Sequence, residues 1–199
     1  MTAADITHFE GPGKRNTEGV LDAVERRIKA GGVSHVVVAS NTGATGLKTI
    51  ERLSGKGIGI VVVTSHAGFR KEGGLDLSLE REAEMISKGA KVVRASHVLS
   101  GVERSFSRKL GGISRVEAVS EALRSLFGQG MKVCVEITIM AADSGAIPCG
   151  DGVEVVSIGG SGRGADTACI LRPAHANSFF DMEVREIIAM PRRKKSGEG

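Results

Sequence analysis

Three short β-branched runs recur along this chain. They are Val36-Val37-Val38-Ala39-Ser40, Val61-Val62-Val63-Thr64-Ser65 and Val92-Val93-Arg94-Ala95-Ser96. A strand that is apolar at nearly every position has no wet face, so it must be covered on both sides. Each run follows a helical stretch. Asn16 or Thr17 caps a helix from Glu18 to about Lys29, with Leu21, Val24 and Ile28 along one face. A second helix is expected from Ala44 to Leu53, and a third from Leu77 to Lys88 with Leu79, Ala83 and Ile86 as its apolar side. Helix alternating with apolar strand is the α/β pattern. Parallel strands present their carboxyl ends on one edge, where open α/β sheets bind ligands. Ser40, Ser65 and Ser96 stand at those ends, either as ligand contacts or as plain loop starts.

Downstream the pattern is less regular. Val98 to Gly112 has no clear period and carries Arg104, Arg108 and Lys109, with Arg104 and Arg108 either binding an anion or belonging to an exposed basic loop. Ser114 caps a helix to about Phe127, with Val116, Val119, Leu123 and Leu126 on its face. Met131 to Met140 is ambiguous. Val133, Val135, Ile137 and Ile139 alternate as in a strand, yet Gly130 before it and Ala141 to Gly145 after it suit a buried helix with a glycine stop. Val153 to Ile158, Thr167 to Leu171 and Val184 to Met190 read as strands.

The length of 199 residues fits one domain, expected over 1–191, with a basic flexible tail over 192–199 that holds Arg192-Arg193-Lys194-Lys195. The net charge of +4 lies largely in that tail, so the body is near neutral. Aromatic residues make up 3%, with no Trp or Tyr, which counts against a base-stacking nucleic-acid surface. Cys134, Cys149 and Cys169 are odd in number and widely spaced, which is no disulfide framework and no zinc pattern. Cys134 is expected in the core. No apolar stretch reaches the roughly 18 residues of a membrane span, and the N-terminus lacks a signal-peptide pattern. A cytoplasmic protein with no nucleic-acid and no membrane partner is expected.

Several segments together resemble a known domain. Val33 to Gly46 followed by Ile58 to Thr64 is similar to the start of the pyruvate kinase C-terminal domain. Ala142 to Ile147 and Cys149 to Val156 are similar to that domain's helix end and following strand. The whole chain looks like the stand-alone, archaeal-type, uncharacterised family of pyruvate kinase C-terminal-domain-like proteins. That likeness rests on Phe9 to Gly13 with Asn16-Thr17, Ala39 to Gly43, Thr64 with His66 and Gly68-Phe69, Met140-Ala141, and Gly164 to Ala168. It implies a three-layer α/β/α fold with a mixed sheet of core order 3-2-1-4-5 and strand 5 antiparallel. It also makes Met131 to Ser144 a helix and Val153 to Ile158 the fourth core strand. Flavin mononucleotide (FMN) is the ligand it implies, with no reaction assigned. The barrel in which pyruvate kinase performs its chemistry has no counterpart here, so that activity is not carried over.

Two loops are the main site candidates. Ser40, Asn41, Thr42, Gly43, Ala44 and Thr45 join a strand to a helix, offering free backbone amides, neutral donors and the positive end of a helix dipole to a phosphate. The spacing is not that of a Walker A loop. Gly159-Gly160-Ser161-Gly162-Arg163-Gly164 permits close backbone approach, with Arg163 as a phosphate partner. In the order 3-2-1-4-5 these loops flank one crevice. Asp166, followed by Thr167, is expected to accept from a ribityl hydroxyl or a ring nitrogen. Thr64, His66, Gly68 and Phe69 complete the candidate set, Phe69 as cover for an apolar ring. His66 and His97 follow adjacent strands, and a metal-dependent hydrolase is a further reading that lacks a third ligand of telling spacing. Glu136 sits either on a wet helix face or in the pocket.

The leading expectation is a protein that binds a phosphorylated cofactor, FMN, with a flavin-linked oxidoreductase as the matching reaction class. The alternative is a non-enzymatic regulatory or sensor module for a sugar phosphate or nucleotide. Partners are a small phosphorylated ligand and, as an allowed state, further copies of the chain in a homo-oligomer.

Overall fold

The computed structural model describes residues 5–194. In chain order the elements are β1 (Thr7–Phe9), α1 (Thr17–Lys29), β2 (His35–Ala39), α2 (Ala44–Leu53), β3 (Gly59–Ser65), α3 (Leu79–Ser87) and β4 (Lys91–Ala95). Then follow α4 (Gly101–Leu110), α5 (Arg115–Phe127), α6 (Gln129–Asp143), β5 (Val155–Gly159), β6 (Thr167–Arg172) and β7 (Glu183–Pro191). The strands form one seven-stranded mixed sheet in the order β1-β7-β6-β5-β2-β3-β4. β2, β3, β4 and β5 are parallel, and β6 is antiparallel to β5. The architecture is α/β in three layers, as expected. Counted from β2, the five strands β4-β3-β2-β5-β6 stand in the order 3-2-1-4-5.

Each sheet face carries its own core, because alternate strand residues point to opposite faces. Val36, Val38, Ile60, Val62, Val156 and Ile158 pack with Val20, Val24, Ile50, Leu53 and Met85 of α1, α2 and α3. Val37, Val61, Val63, Val93, Val155 and Leu171 pack with Met131, Cys134, Ile137 and Met140 of α6. Burying each such aliphatic side chain contributes roughly 1.5–3 kcal/mol.

Helix α6 explains its own ambiguous sequence. Twelve of its fifteen residues are buried, because the sheet covers one side and α5 the other. Cys134, Ile137 and Met140 face the sheet, whereas Val135 and Ile139 meet Val119 and Leu123 of α5. A helix covered all round is apolar all round, so its pattern imitates a buried strand. Cys134 lies in the core.

Three local expectations need correction. The buried side of α3 is Met85, with Leu77 just before the helix. Leu79, Ala83 and Ile86 are exposed. Residues 101–110, which showed no period, form α4, a helix that buries no side chain. On α5 the expected contact Leu126 is exposed, although Ser114 does cap the helix in a reciprocal capping box with Glu117. At the far edge, the amides of Arg192 and Arg193 donate to the carbonyls of Phe9 at 2.8 Å and Glu10 at 3.2 Å. These two expected tail residues therefore continue the β1–β7 pairing. Residues 195–199 lie outside the described residues.

Two glycines set how closely α6 approaches the sheet. A Cβ at Gly159 would lie 2.4 Å from the Gly130 carbonyl oxygen, and one at Gly130 would lie 2.0 Å from Thr167 Oγ1. At Gly159 backbone sits against backbone, and at Gly130 the close neighbours are the Thr167 and Asp166 side chains, which are fully buried and bonded to each other and so have no room to give way. Gly130→Ala is expected to lose about 3 kcal/mol, at the upper end of overpacking costs, despite the better helix propensity of Ala. Urea unfolding of the variant against the parent chain checks this.

Candidate functional site

The carboxyl ends of β2, β3, β4 and β5 share one edge. The strand order reverses between β2 and β5, so the loops after them diverge to opposite faces and open a crevice. A cleft of about 640 Å³ lies there, within the usual range for small-ligand sites.

One end of the cleft is the start of α2. Gly43 adopts φ 92°, a left-handed conformation that favours glycine, and so turns the chain from β2 into the helix. Ser40 Oγ accepts the Gly46 amide at 3.0 Å, and the Gly43 carbonyl accepts that of Leu47 at 2.9 Å. Among the described residues the amides of Ala44 and Thr45 have no acceptor, and both residues line the cleft. Thr64 Oγ1 donates to the Asn41 carbonyl at 3.2 Å and holds this loop against β3. Lys14, Lys48 and Arg163 stand round this part of the wall with Gly160, Gly162 and Gly164.

The other wall is α6. Val133, Ile137 and Met140 present an apolar strip, and Phe69 with His97 stands across from it. Phe69 lies 4.6 Å from the His97 ring and 5.5 Å from His66, and the two imidazoles are 5.7 Å apart. The cleft is also lined by a buried ion pair, Lys132 Nζ to Glu136 Oε2 at 2.5 Å, one helical turn apart. Glu136 Oε1 also accepts the Leu99 amide at 3.1 Å. Burial holds the Lys132 ammonium below the ordinary lysine range, with Glu136 opposing that shift. His97 is also lowered, first by burial, with Glu136 opposing and Lys132, His66 and Arg104 reinforcing. Its Nδ1 is buried with no hydrogen-bond partner.

Of the expected residues, Ser40, Asn41, Thr42, Ala44, Thr45, Thr64, Phe69, Gly160 and Gly162 come together on this cleft. Glu136, whose direction was open, lines it. The rest do not. His66 and Gly68 lie with Phe69 on a neighbouring pocket. Gly43 faces the other way: a Cβ there would meet Leu77, Met85 and Arg81 within about 3.1 Å. Its substitution by Val therefore tests the fold rather than phosphate access. Gly159 is packed under α6.

Asp166 needs the plainest correction. It is fully buried, and its carboxylate is already engaged by the Gly13 amide at 2.9 Å, the Ser161 amide at 3.0 Å and Thr167 Oγ1 at 2.9 Å. It ties the glycine-rich loop to the start of α1 instead of reaching a ligand, and Ser161 and Thr167 belong to that tie. The Ala165 amide adds a bond to Thr17 Oγ1 at 3.0 Å.

Arg104, weighed above as an anion contact, lines the cleft, and so do Lys132, Gln129 and Arg124, which the sequence did not mark as site residues. A lysine and a glutamate four apart inside an otherwise apolar helix were the available signal. Among the described residues no group of three His, Cys, Asp or Glu side chains is placed to hold a metal ion.

No family model matches the chain. Two solved structures superpose loosely on it: O-ureido-L-serine synthase, and an O-ureido-L-serine-bound point mutant of that enzyme. Each is 16% identical over 71% of this chain, with TM-scores of 0.30 and 0.29. The chain spans about half the length of either, 50% and 49%. So loose a superposition speaks to neither site nor reaction.

Asp166→Ala leaves three donors without their acceptor. It should cost about 3 kcal/mol of stability, at roughly 1 kcal/mol or more per stranded donor. Thermal unfolding without any ligand reads this, and an unchanged melting temperature would contradict the tie.

His97 and His35 are both held below the imidazole value of 6.5, chiefly by burial. Below that value the unfolded chain binds protons that the folded chain refuses. Their contribution to stability is therefore present above pH 6.5 and is lost as pH falls. The melting temperature should drop between about pH 7 and about pH 5.5. His97→Gln should make that drop shallower, leaving the share due to His35.

Proposed function

We propose that this chain binds a phosphorylated, ring-bearing cofactor, FMN, in the cleft at the carboxyl edge of the sheet. The observation that carries the reading is the polarity of that cleft from end to end. At one end are the amides of Ala44 and Thr45, the hydroxyls of Thr42 and Thr45, and the cations Lys14 and Arg163, with Lys48 beside them paired to Glu18. This set suits a phosphate dianion, through backbone donors, a helix dipole and charge together. At the other end Val133, Ile137 and Met140 face Phe69 and His97, an apolar slot of the kind a flat ring fills. The resemblance to the pyruvate kinase C-terminal-domain-like family supports the same ligand.

Bound FMN would supply hydride and electron transfer, and a flavin-linked oxidoreductase is the matching class. The chain's own groups orient and tune. The α2 amino end anchors the phosphate, and the α6 strip excludes water from one ring face. The Lys132–Glu136 pair sets a fixed charge pattern beside the ring, and a positive group there favours negative charge developing on it.

Titration by absorbance and fluorescence tests the reading. FMN should bind about a hundredfold more tightly than riboflavin, because the phosphate contacts are charge-assisted. Arg163→Gln should narrow that ratio while leaving riboflavin affinity unchanged. Equal affinities for FMN and riboflavin, or no uptake of either, would remove the proposal.

A further inference from the structure

A second pocket of about 460 Å³ adjoins the first, and Phe69, Ser100 and Arg104 line both. Its remaining lining is His66, Gly68, Gly101, Ser105, Arg108 and Lys109. Its charged side chains are three cations with no carboxylate among them. Arg104 and Arg108, four residues apart, share a face of α4 at a spacing that makes like charges repel, and Lys109 follows directly on Arg108. Among the described residues none of the three lies within salt-bridge distance of an acid. Glu117 on α5 meets part of the Arg104 charge, and the remaining positive charge of the cluster favours an anion.

Ser100 is an independent sign. It is 6% exposed, stands at the N-cap of α4, and lines both pockets. An N-cap serine ordinarily accepts an amide of the first turn. Here its side chain makes no capping bond, and among the described residues its hydroxyl has no hydrogen-bond partner. The Ser100 backbone is used locally, its amide donating to the His97 carbonyl and its carbonyl accepting from Arg104. The residue is largely buried, yet its hydroxyl is left open to the two pockets and free to bond a ligand, beside the Arg104, Arg108 and Lys109 that line the second.

We infer that Ser100, Arg104, Arg108 and Lys109 form a binding site for the oxyanion group of a small second ligand, placed beside the ring end of the cofactor cleft. His66 and Phe69 form the threshold between the two. The chemical class is a small molecule with a terminal phosphate or carboxylate. Its role as a co-ligand rests on the cofactor reading above, but its binding does not.

The test uses the full chain and inorganic phosphate or malonate as probes, followed by amide and imidazole NMR shifts. Shifts at His66, Ser100 and Gly101 that saturate are expected. The probe that binds more tightly assigns the site to a phosphate or to a carboxylate. Arg108→Gln with Lys109→Gln should weaken that probe at least about tenfold, on the scale of lost charge-assisted bonds, and leave FMN affinity unchanged. Ser100→Ala, too small a change to threaten folding, should weaken it by a smaller factor. The inference is overturned if saturating probe moves only the residue 40–45 loop, or if the variants bind it as the parent does. Absence of FMN binding with phosphate still at Ser100 would remove the cofactor reading and keep this one.

Discussion

Everything at the cleft edge depends on how closely α6 lies against the sheet. The contact is backbone on backbone, through Gly130 and Gly159, with Thr167 filling the space beside them. That approach allows Cys134, Ile137 and Met140 to reach into the sheet face. It also fixes the rotation of the helix. Residues 132, 133, 136, 137 and 140, spaced three and four apart, then look into the cleft. A side chain at either glycine would push the helix outward and turn the Lys132–Glu136 pair away from the cleft.

The ion pair is a further sign that the cleft is more than a packing fault. Two charges, each 4% exposed, stand in a helix whose other buried residues carry no charge and are apolar apart from Thr138. Removing two ions from water commonly costs more than their attraction returns, and aliphatic residues would hold the helix at least as well. The pair is also not isolated, since Glu136 holds the Leu99 amide and so positions the loop that carries His97 and Ser100. Charge inside α6 thus shapes the far wall of the cleft as well as its own.

Much of this was legible in the residues. Runs such as Val36 to Val38 and Val61 to Val63 can only be strands covered on both faces, and the helices between them have plain stops. What escaped has identifiable causes. Helix α4 buries nothing, so it has no core-facing stripe for a periodicity to reveal, and Val102, Phe106 and Leu110 point outward. Helix α3 rests on Met85 and Leu77, whereas the helical spacing of Leu79, Ala83 and Ile86 marks its exposed side. Asp166 follows a glycine-rich loop in the manner of a ligand-binding carboxylate, and only the fold shows that Gly13, from the opposite end of the chain, has already taken it. Local sequence reports which groups can bond. Distant partners decide which of them remain free.

The sheet's pairing pattern governs the order in which the molecule can be assembled. β2, at its centre, meets β3 from nearby sequence, but its other neighbour is β5, with His35 opposite Val155. β1 pairs only with β7, Thr7 opposite Ala189. The half built from β2, β3 and β4 with α1, α2 and α3 can therefore gather early, with one apolar flank of β2 unpaired and one face uncovered until α6 and β5 arrive. Closing such long loops is slow, and an open strand edge invites pairing with other chains meanwhile. The cleft straddles this seam, since its two walls come from the early and the late halves. It exists only once β5 and α6 are in place, so any ligand that fits it would bind the completed fold alone and draw the chain toward it.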